Sequence, residues 1–366
     1  MSIPLAVSDR PAAAGARRRR GGIAHALLAA LLLVVGIASL GVGPLPLPPA
    51  EVFAVLAQKL GLDLGPVAPQ SALVVLEIRM PRTLTGMLVG AALAVSGAVL
   101  QGLFRNPLAD PGLIGVSSGS ALAVVSTIVL GHTLLAPIVV PLGLFALPIA
   151  GLGGALAATA LLYAIATRQG TTSVAVLLLA GIAVAALAAA ATGFLIFTST
   201  DTELRDITFW SLGSLGGSTW PKLGAAAVFV LGGLATLPFL ARGLDALLLG
   251  ESEAFHLGIE VQRLKRIAIA AVAAATGAAV AVSGVIGFVG IVVAHLLRLA
   301  LGPSHRILLP GAALLGAAMM VLSDMVARTI VAPAELPIGI LTALVGAPFF
   351  LWLLLRRHGA GEGPGA

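Results

Sequence analysis

Asp324 and Arg328 stand four residues apart in the stretch SDMVAR. On a helix, that spacing puts a carboxylate and a guanidinium on one face, where they attract. Asp324 is the clearest acid inside an apolar run, and a buried acid of that kind could relay protons. The cation one turn later makes a structural ion pair, Asp324 with Arg328, the expected role. Arg79, Arg82 and Arg328 form a second group, at the ends of apolar runs. Cations there either snorkel to the membrane interface or dock an acidic partner. Arginine suits docking because its planar fork takes a carboxylate bidentately. A third group is GESEAFHLGIEVQRLK at 250–265. Gly250 opens a helix in which Glu251 and Glu253 occupy the first turn, where acids are favoured. Ala254 and Leu257 give it a small apolar face, and Gly258 turns the chain into a second short helix. On an otherwise short-looped protein, such a pair is expected to dock a soluble subunit.

Other chemistry is missing from the sequence. It holds no His-Glu-x-x-His, no Gly-x-Ser-x-Gly and no P-loop Gly-Lys-Ser, the patterns of metalloproteases, serine hydrolases and nucleotide binders. With no cysteine, disulfides, thiol catalysis and Cys-ligated metals are excluded. The six histidines, His25, His132, His256, His295, His305 and His358, mostly lie near the ends of apolar runs. His132 could touch a metal-bearing ligand, but a solvated role is expected, and Tyr163 is assigned to packing. The net charge of +6 comes from scattered cations without an aromatic-interleaved patch, so nucleic acid is not an expected partner.

The elements that must position these groups are set by lipid. The chain has 366 residues, 59% hydrophobic and only 10% charged, against about 25% charged for soluble domains. Lipid is therefore its main solvent. A helix crosses the hydrocarbon core in about 20 residues. Ten runs fit: 23–41, 83–104, 113–131, 138–166, 173–198, 222–241, 267–283, 285–302, 307–330 and 337–355. The pair at 267–302 could be one long helix, but Gly284, Gly287 and Gly290 favour two short or tilted spans. The first run is longer than the apolar core of a signal peptide, about 7–15 residues, and is read as an uncleaved helix. If the chain starts inside, 15 Lys and Arg fall on the inner side and 6 on the outer. That bias places both termini in the cytoplasm. The expected organisation is a basic cytoplasmic N-terminus (1–22), a ten-helix transmembrane domain (23–357) and a cytoplasmic tail (358–366). Segment 42–78 is expected as an outer loop with one surface helix, and 199–221 as a second outer loop.

The decapeptide GAALAVSGAV at Gly90 returns as GAAVAVSGVI at Gly277. The first copy lies on an inward-running span and the second on an outward-running one, the pattern of an inverted repeat. The fold class expected is an all-α integral membrane protein of ten transmembrane helices with that repeat. Ion-coupled transporters bury ionisable groups at the midplane. Their scarcity here disfavours a self-powered secondary transporter, which stands as the alternative of another class.

The stretch RMPRTLTGMLVGAALAVSGAVLQGLFRNPLADPGLIGVSSG at 79–119 resembles the permease subunits of type II ABC importers, which carry vitamin B12, ferric siderophores and haem. The stretches at 250–264, 283–310 and 323–354 resemble them too, so the likeness runs from about residue 25 to 357. It implies a homodimer in the bacterial inner membrane with a shared translocation path. Two cytoplasmic ATPase subunits and a periplasmic binding protein are the implied partners, and lipid surrounds the whole. ATP would be used by the ATPase, and the permease would hold no permanent cofactor and no metal and would catalyse no bond chemistry. Arg79, Arg82 and Arg328 match the family's outer-face arginines, which pair with acids of the binding protein. Gly250 to Gly258 match its ATPase-coupling helices, and Asn106 and Leu108 its cytoplasmic gate. Thr171 to Ser173 lie where the gate's other half is expected but do not align cleanly. Ala294 replaces the family's usual proline before His295, which should leave that span straighter. RDITFWSLGSLGGSTW at 205–220 looks most like the haem-importing branch, with ferric siderophore and cobalamin as alternatives.

Overall fold

The computed structural model describes residues 10–63 and 65–359. The expected tail lies outside the described residues from 360 onward, as do the first nine residues of the basic N-terminus. The chain is nearly all helix. Helix α1 (Arg10–Gly41) leads to α2 (Pro49–Lys59) and α3 (Pro69–Leu73), which passes through a wide π-turn at Val74–Arg79 into α4 (Met80–Leu103). A short 3-10 turn precedes α5 (Val116–Leu130), followed by α6 (Ala136–Leu142) and α7 (Ala146–Ala166). A tiny antiparallel hairpin, β1 (Thr167–Arg168) and β2 (Thr171–Thr172), opens α8 (Val174–Phe197). Then come α9 (Asp201–Ser211), α10 (Trp220–Leu247), α11 (Glu251–His256), α12 (Val261–Ser283), α13 (Val289–Leu301), α14 (His305–Ala327) and α15 (Ile338–Gly359).

Each expected span contains a helix. Seven helical stretches are long and apolar enough to cross a membrane, and three apolar helices, Val116–Leu130, Val289–Leu301 and Ile338–Trp352, are shorter. Three local expectations change. The span at 138–166 is one of the seven stretches but is interrupted within: Pro141 and Gly143, at φ +50°, end α6, and a 3-10 turn at Gly143–Phe145 joins it to α7. The loop at 199–221 contains helix α9, started by a capping box in which the Thr200 N–H donates to Glu203 Oε2 at 2.8 Å. That backbone donor, with the Thr200 hydroxyl, holds the Glu203 carboxyl below its ordinary range. The second short helix after Gly258 is instead the start of the long α12.

Helices α4 and α12 form the centre and are the most buried of the long apolar helices. They carry the two copies of the repeated decapeptide and run in opposite directions. Lipid gives helices no hydrophobic push toward each other, so close backbone approach supplies the packing. At the crossing of α4 and α14, a Cβ on Gly90 would stand 2.2 Å from the carbonyl oxygen of Gly316, so only glycine fits. In the second copy the helix stops at Ser283, because Gly284 turns to φ +70° against the Trp210 carbonyl. The freed backbone is satisfied inside the protein. Ser214 N–H donates to the Ser283 carbonyl at 2.8 Å, while Ile338 and Gly339 N–H donate to Gly213 and Leu212 at 2.9 and 3.0 Å. Irregular backbone in a membrane protein needs such internal partners. Helix α13 then runs unbroken through the buried Ala294. The surface helix expected in 42–78 is α2, whose Val52 and Val55 pack on Leu40, Leu47 and Val75.

Candidate functional site

Two polar clusters sit at opposite ends of the helices. The first is the arginine end. The π-turn and the start of α4 bring Arg79 and Arg82 to the far end of α14, where Asp324 and Arg328 lie. All three guanidiniums are buried, with Arg79 at 5%, Arg82 at 7% and Arg328 at 2% exposure. Arg82 grips Asp324: Nε donates to Oδ1 and Oδ2 at 3.0 and 3.1 Å, and Nη2 to Oδ1 at 2.8 Å. Its remaining arm, Nη1, donates to Glu335 Oε1 at 2.7 Å. Arg328 lies 3.7 Å from Asp324 through Nε, but its hydrogen bonds go to the carbonyl and hydroxyl of Ser39, both at 2.7 Å. Arg79 serves the end of α1. Its Nη1 donates to the carbonyls of Leu40 and Gly41, each at 2.8 Å, and its Nη2 to Leu45. A helix end leaves such carbonyls without partners and attracts a cation.

The expected Asp324–Arg328 pair is therefore the weaker half of a larger network. The partner that takes Asp324 bidentately is Arg82, from another helix. The same-helix spacing rule could not see it. Nor did the sequence reading single out Glu335, which lies beyond the helix in APAELP. The three arginines do come together, as their charge in an apolar rim implied, but as buried, internally bonded groups rather than an open patch.

The second cluster is the hairpin end, at the other terminus of α4. Arg105 takes φ +49°, and Asn106 Oδ1 accepts the Leu108 N–H at 2.9 Å, stiffening the loop as an Asx turn. Asp110 Oδ1 caps the next turn by accepting from Gly112 N–H at 2.8 Å. Burial raises its carboxyl above the ordinary range against that hydrogen bond. Helix α11 lies at this end, with Gly250 at φ +128° before it and Gly258 at φ +81° after it. Its expected apolar face does not form. Ala254 is fully buried while Leu257 is 62% exposed, because the helix ends at His256 and Leu257 is the cap residue beyond it. Phe255 is the exposed apolar group.

What joins this end together is Lys265, which in the sequence stands only among the inner-side cations. It is 2% exposed. Its Nζ donates to Glu251 Oε2 at 2.9 Å and to the Thr172 carbonyl at 3.1 Å. The Thr172 N–H donates to Gln262 Oε1 at 2.9 Å. One ammonium thus ties α11, the β-hairpin and α12 together. A signal was available: Lys265 stands four residues after Val261 and three before Ala268, inside the buried stripe of α12. The Thr171 to Ser173 segment, which did not align cleanly, is the strand and cap that this lysine holds.

This multi-helix membrane protein thus carries a buried ionic network at one end and a short exposed helix tied to a hairpin at the other. The chain belongs to the FecCD transport family, whose model matches residues 31–356. It is similar to the hemin transport system permease protein HmuU of Yersinia pestis, with 48% identity over 77% of this chain and 83% of that one. It is similar also to the vitamin B12 import system permease protein BtuC of Escherichia coli O127:H6, with 40% identity over 90% and 94%. A solved metal-chelate type ABC transporter, in an inward-facing conformation, superposes with a TM-score of 0.76 at 35% identity, covering 91% of this chain and 98% of that one. The chain is the permease of an ABC importer.

Proposed function

We propose that two copies of this chain line a path by which haem enters the cytoplasm, driven by a separate ATPase and fed by a periplasmic binding protein. The relative at 48% identity that handles hemin carries the cargo assignment, and the stretch at 205–220 supports it. Ten crossings with both termini cytoplasmic put the hairpin end inside. That orientation is supported by the cations clustered there: Arg105, Arg168, Arg242, Arg263, Arg266 and Arg306. Helices α8 and α15 leave Leu179, Ile182, Phe194, Leu344 and Val345 uncovered within this chain, faces for lipid and the second copy.

ATP binding closes the ATPase subunits against α11, with Gly250, Glu251, Leu257 and Gly258 shaping that contact and the buried Ala254 seating the helix on the rest of the chain. The movement passes from Glu251 through Lys265 to the hairpin and reaches the gate at Asn106 and Leu108. Cargo shifts this equilibrium only by binding the two states unequally. The test is uptake by the purified complex in proteoliposomes. ATP-dependent accumulation of haem is expected. Uptake of a ferric siderophore or cobalamin in its place would overturn the cargo, and gradient-driven uptake without the ATPase would overturn the mechanism.

At the outer face, the arginines act on the binding protein through Glu335. Three guanidiniums face two carboxylates in this network. The Glu335 side chain is 41% exposed, against 8% or less for Arg82 and Arg328. An acid of the binding protein reaches Arg82 by taking the place of Glu335. Glu335→Gln is accordingly expected to tighten docking by about fivefold at low salt, the size of a partly exposed ion pair. Docking that stays the same or weakens on immobilised binding protein would remove Glu335 from this role.

A further inference from the structure

Between α10 and α14, at the hairpin end, lies a cavity of about 690 Å³. Leu234, Leu237, Phe239, Leu309 and Ala313 line it, so most of its wall is hydrocarbon. Proline stands in each wall, Pro238 in α10 and Pro310 in α14. A proline offers no N–H to the carbonyl four residues earlier and cannot pack as a regular helical turn. Two of them flanking one slot help keep the helices from closing over it.

Two cations also line this apolar slot. Arg242 lies near the end of α10 and Arg306 in the first turn of α14, and both are exposed. Neither has an ion-pair or hydrogen-bond partner among the described residues. Asp245, one turn after Arg242, is already committed: Oδ1 accepts from His305 N–H at 2.6 Å and from Nδ1 at 2.8 Å, and Oδ2 from Ser304 Oγ at 3.1 Å. The slot therefore has two positive charges and no carboxylate among its lining residues. More positive charge stands beside it. Helix α1 packs through Gly21 on Ile307, where an added Cβ would meet the isoleucine at 3.2 Å. That contact brings the exposed Arg19 and Arg20 close to the same turn of α14.

We infer that this cavity binds an anionic phospholipid, with an acyl chain in the slot and the phosphate on Arg242 and Arg306. The chemistry asks for both halves at once. Guanidinium pairs with phosphate through parallel N–H bonds. Basic pockets between helices on the cytoplasmic side attract anionic headgroups. A free phosphate would leave the hydrocarbon wall empty, and a zwitterionic headgroup would bring its own cation toward the arginines. The inference rests on the chain being a membrane permease in the proposed orientation, not on its cargo, so failure of haem uptake would leave it standing.

The test is lipid retention by the full-length permease complex, reconstituted in mixed phosphatidylglycerol and phosphatidylcholine, re-extracted and weighed intact with its bound lipids. Wild type is expected to retain phosphatidylglycerol in preference. The double variant Arg242→Gln, Arg306→Gln is expected to lose that preference by about tenfold or more, since each cation near an anionic headgroup contributes substantially. Arg242→Lys with Arg306→Lys should restore part of it. Ala313→Phe, which fills the slot and leaves both arginines, should also lose retained lipid, which guards against a misfolded glutamine variant. Equal retention of the two lipids by wild type, or a preference that survives the glutamine pair, would overturn the site. So would displacement of the lipid by inorganic phosphate.

Discussion

The Asp324→Asn variant is expected to lose about 3–5 kcal/mol of stability, the cost of breaking a buried ion pair from one side. The Asp324 carboxylate is 1% exposed and receives three hydrogen bonds from Arg82. Asparagine keeps the size and one acceptor oxygen but removes the charge. Arg82 and Arg328 would then face each other with only the half-exposed Glu335 to balance them. The loss should appear as a lower midpoint of thermal unfolding for the purified protein and as poor recovery from the membrane. Replacing Arg82 and Asp324 together by leucine should cost less than the sum of the single leucine changes, because neither partner is then left alone. An additive result would mean the pair is not coupled as its geometry requires. The same variant separates structure from proton relay. Surviving Asp324→Asn protein should move cargo at a rate indifferent to a collapsed proton gradient, as should wild type. Sensitivity in wild type that disappears in the variant would restore an ion-coupled transporter.

The helices were legible because membrane helices obey a length rule that ignores detail: about 20 apolar residues suffice. That rule is blind inside an apolar run. It passed over the interruption at Pro141 and Gly143, where composition stays apolar while the α-helix gives way to a 3-10 turn. It also passed over α9, although Thr200 and Glu203 carry the capping-box spacing, because the surrounding segment is polar and Gly-rich. The arginine end was half legible. Charge in an apolar rim marked Arg79, Arg82 and Arg328, yet their partners lie 242 and 253 residues away from Arg82 and on the carbonyls of α1. Local spacing assigns Asp324 to Arg328 because it sees one helix at a time. The coupling segment was legible from its first-turn acids, its flanking glycines and the shortness of the other loops, but its apolar face was misread, because α11 ends at His256 and leaves Leu257 beyond the helix. Lys265 is the opposite case. Its helix is long enough for periodicity to place it on the buried side, and a lysine there needs an acceptor.

That acceptor makes Lys265 the position where transport and ATP hydrolysis are expected to part. In the Lys265→Met variant the side chain still fills its place in α12, so helix packing is largely kept. Glu251 loses its partner and the Thr172 carbonyl loses a charged donor. Glu251 is half exposed, so water recovers part of the loss, and destabilisation should stay at about 1–3 kcal/mol. The effect on coupling should be larger than that figure implies. Helix α11 meets the hairpin through this one ammonium, at 2.9 Å on one side and 3.1 Å on the other. Without it, α11 can follow the ATPase while the hairpin stays behind. ATP hydrolysis by the reconstituted complex should therefore continue while cargo moved per ATP falls by about tenfold, an energy of about 1.4 kcal/mol. Lys265→Arg should recover part of the ratio, because it keeps a donor cation. Glu251→Gln should lower the ratio less than Lys265→Met, since it keeps an acceptor and spares the hairpin contact. A merely structural lysine would lower hydrolysis and uptake together through loss of folded protein, leaving cargo per ATP unchanged. That unchanged ratio is the result that would remove Lys265 from the coupling route.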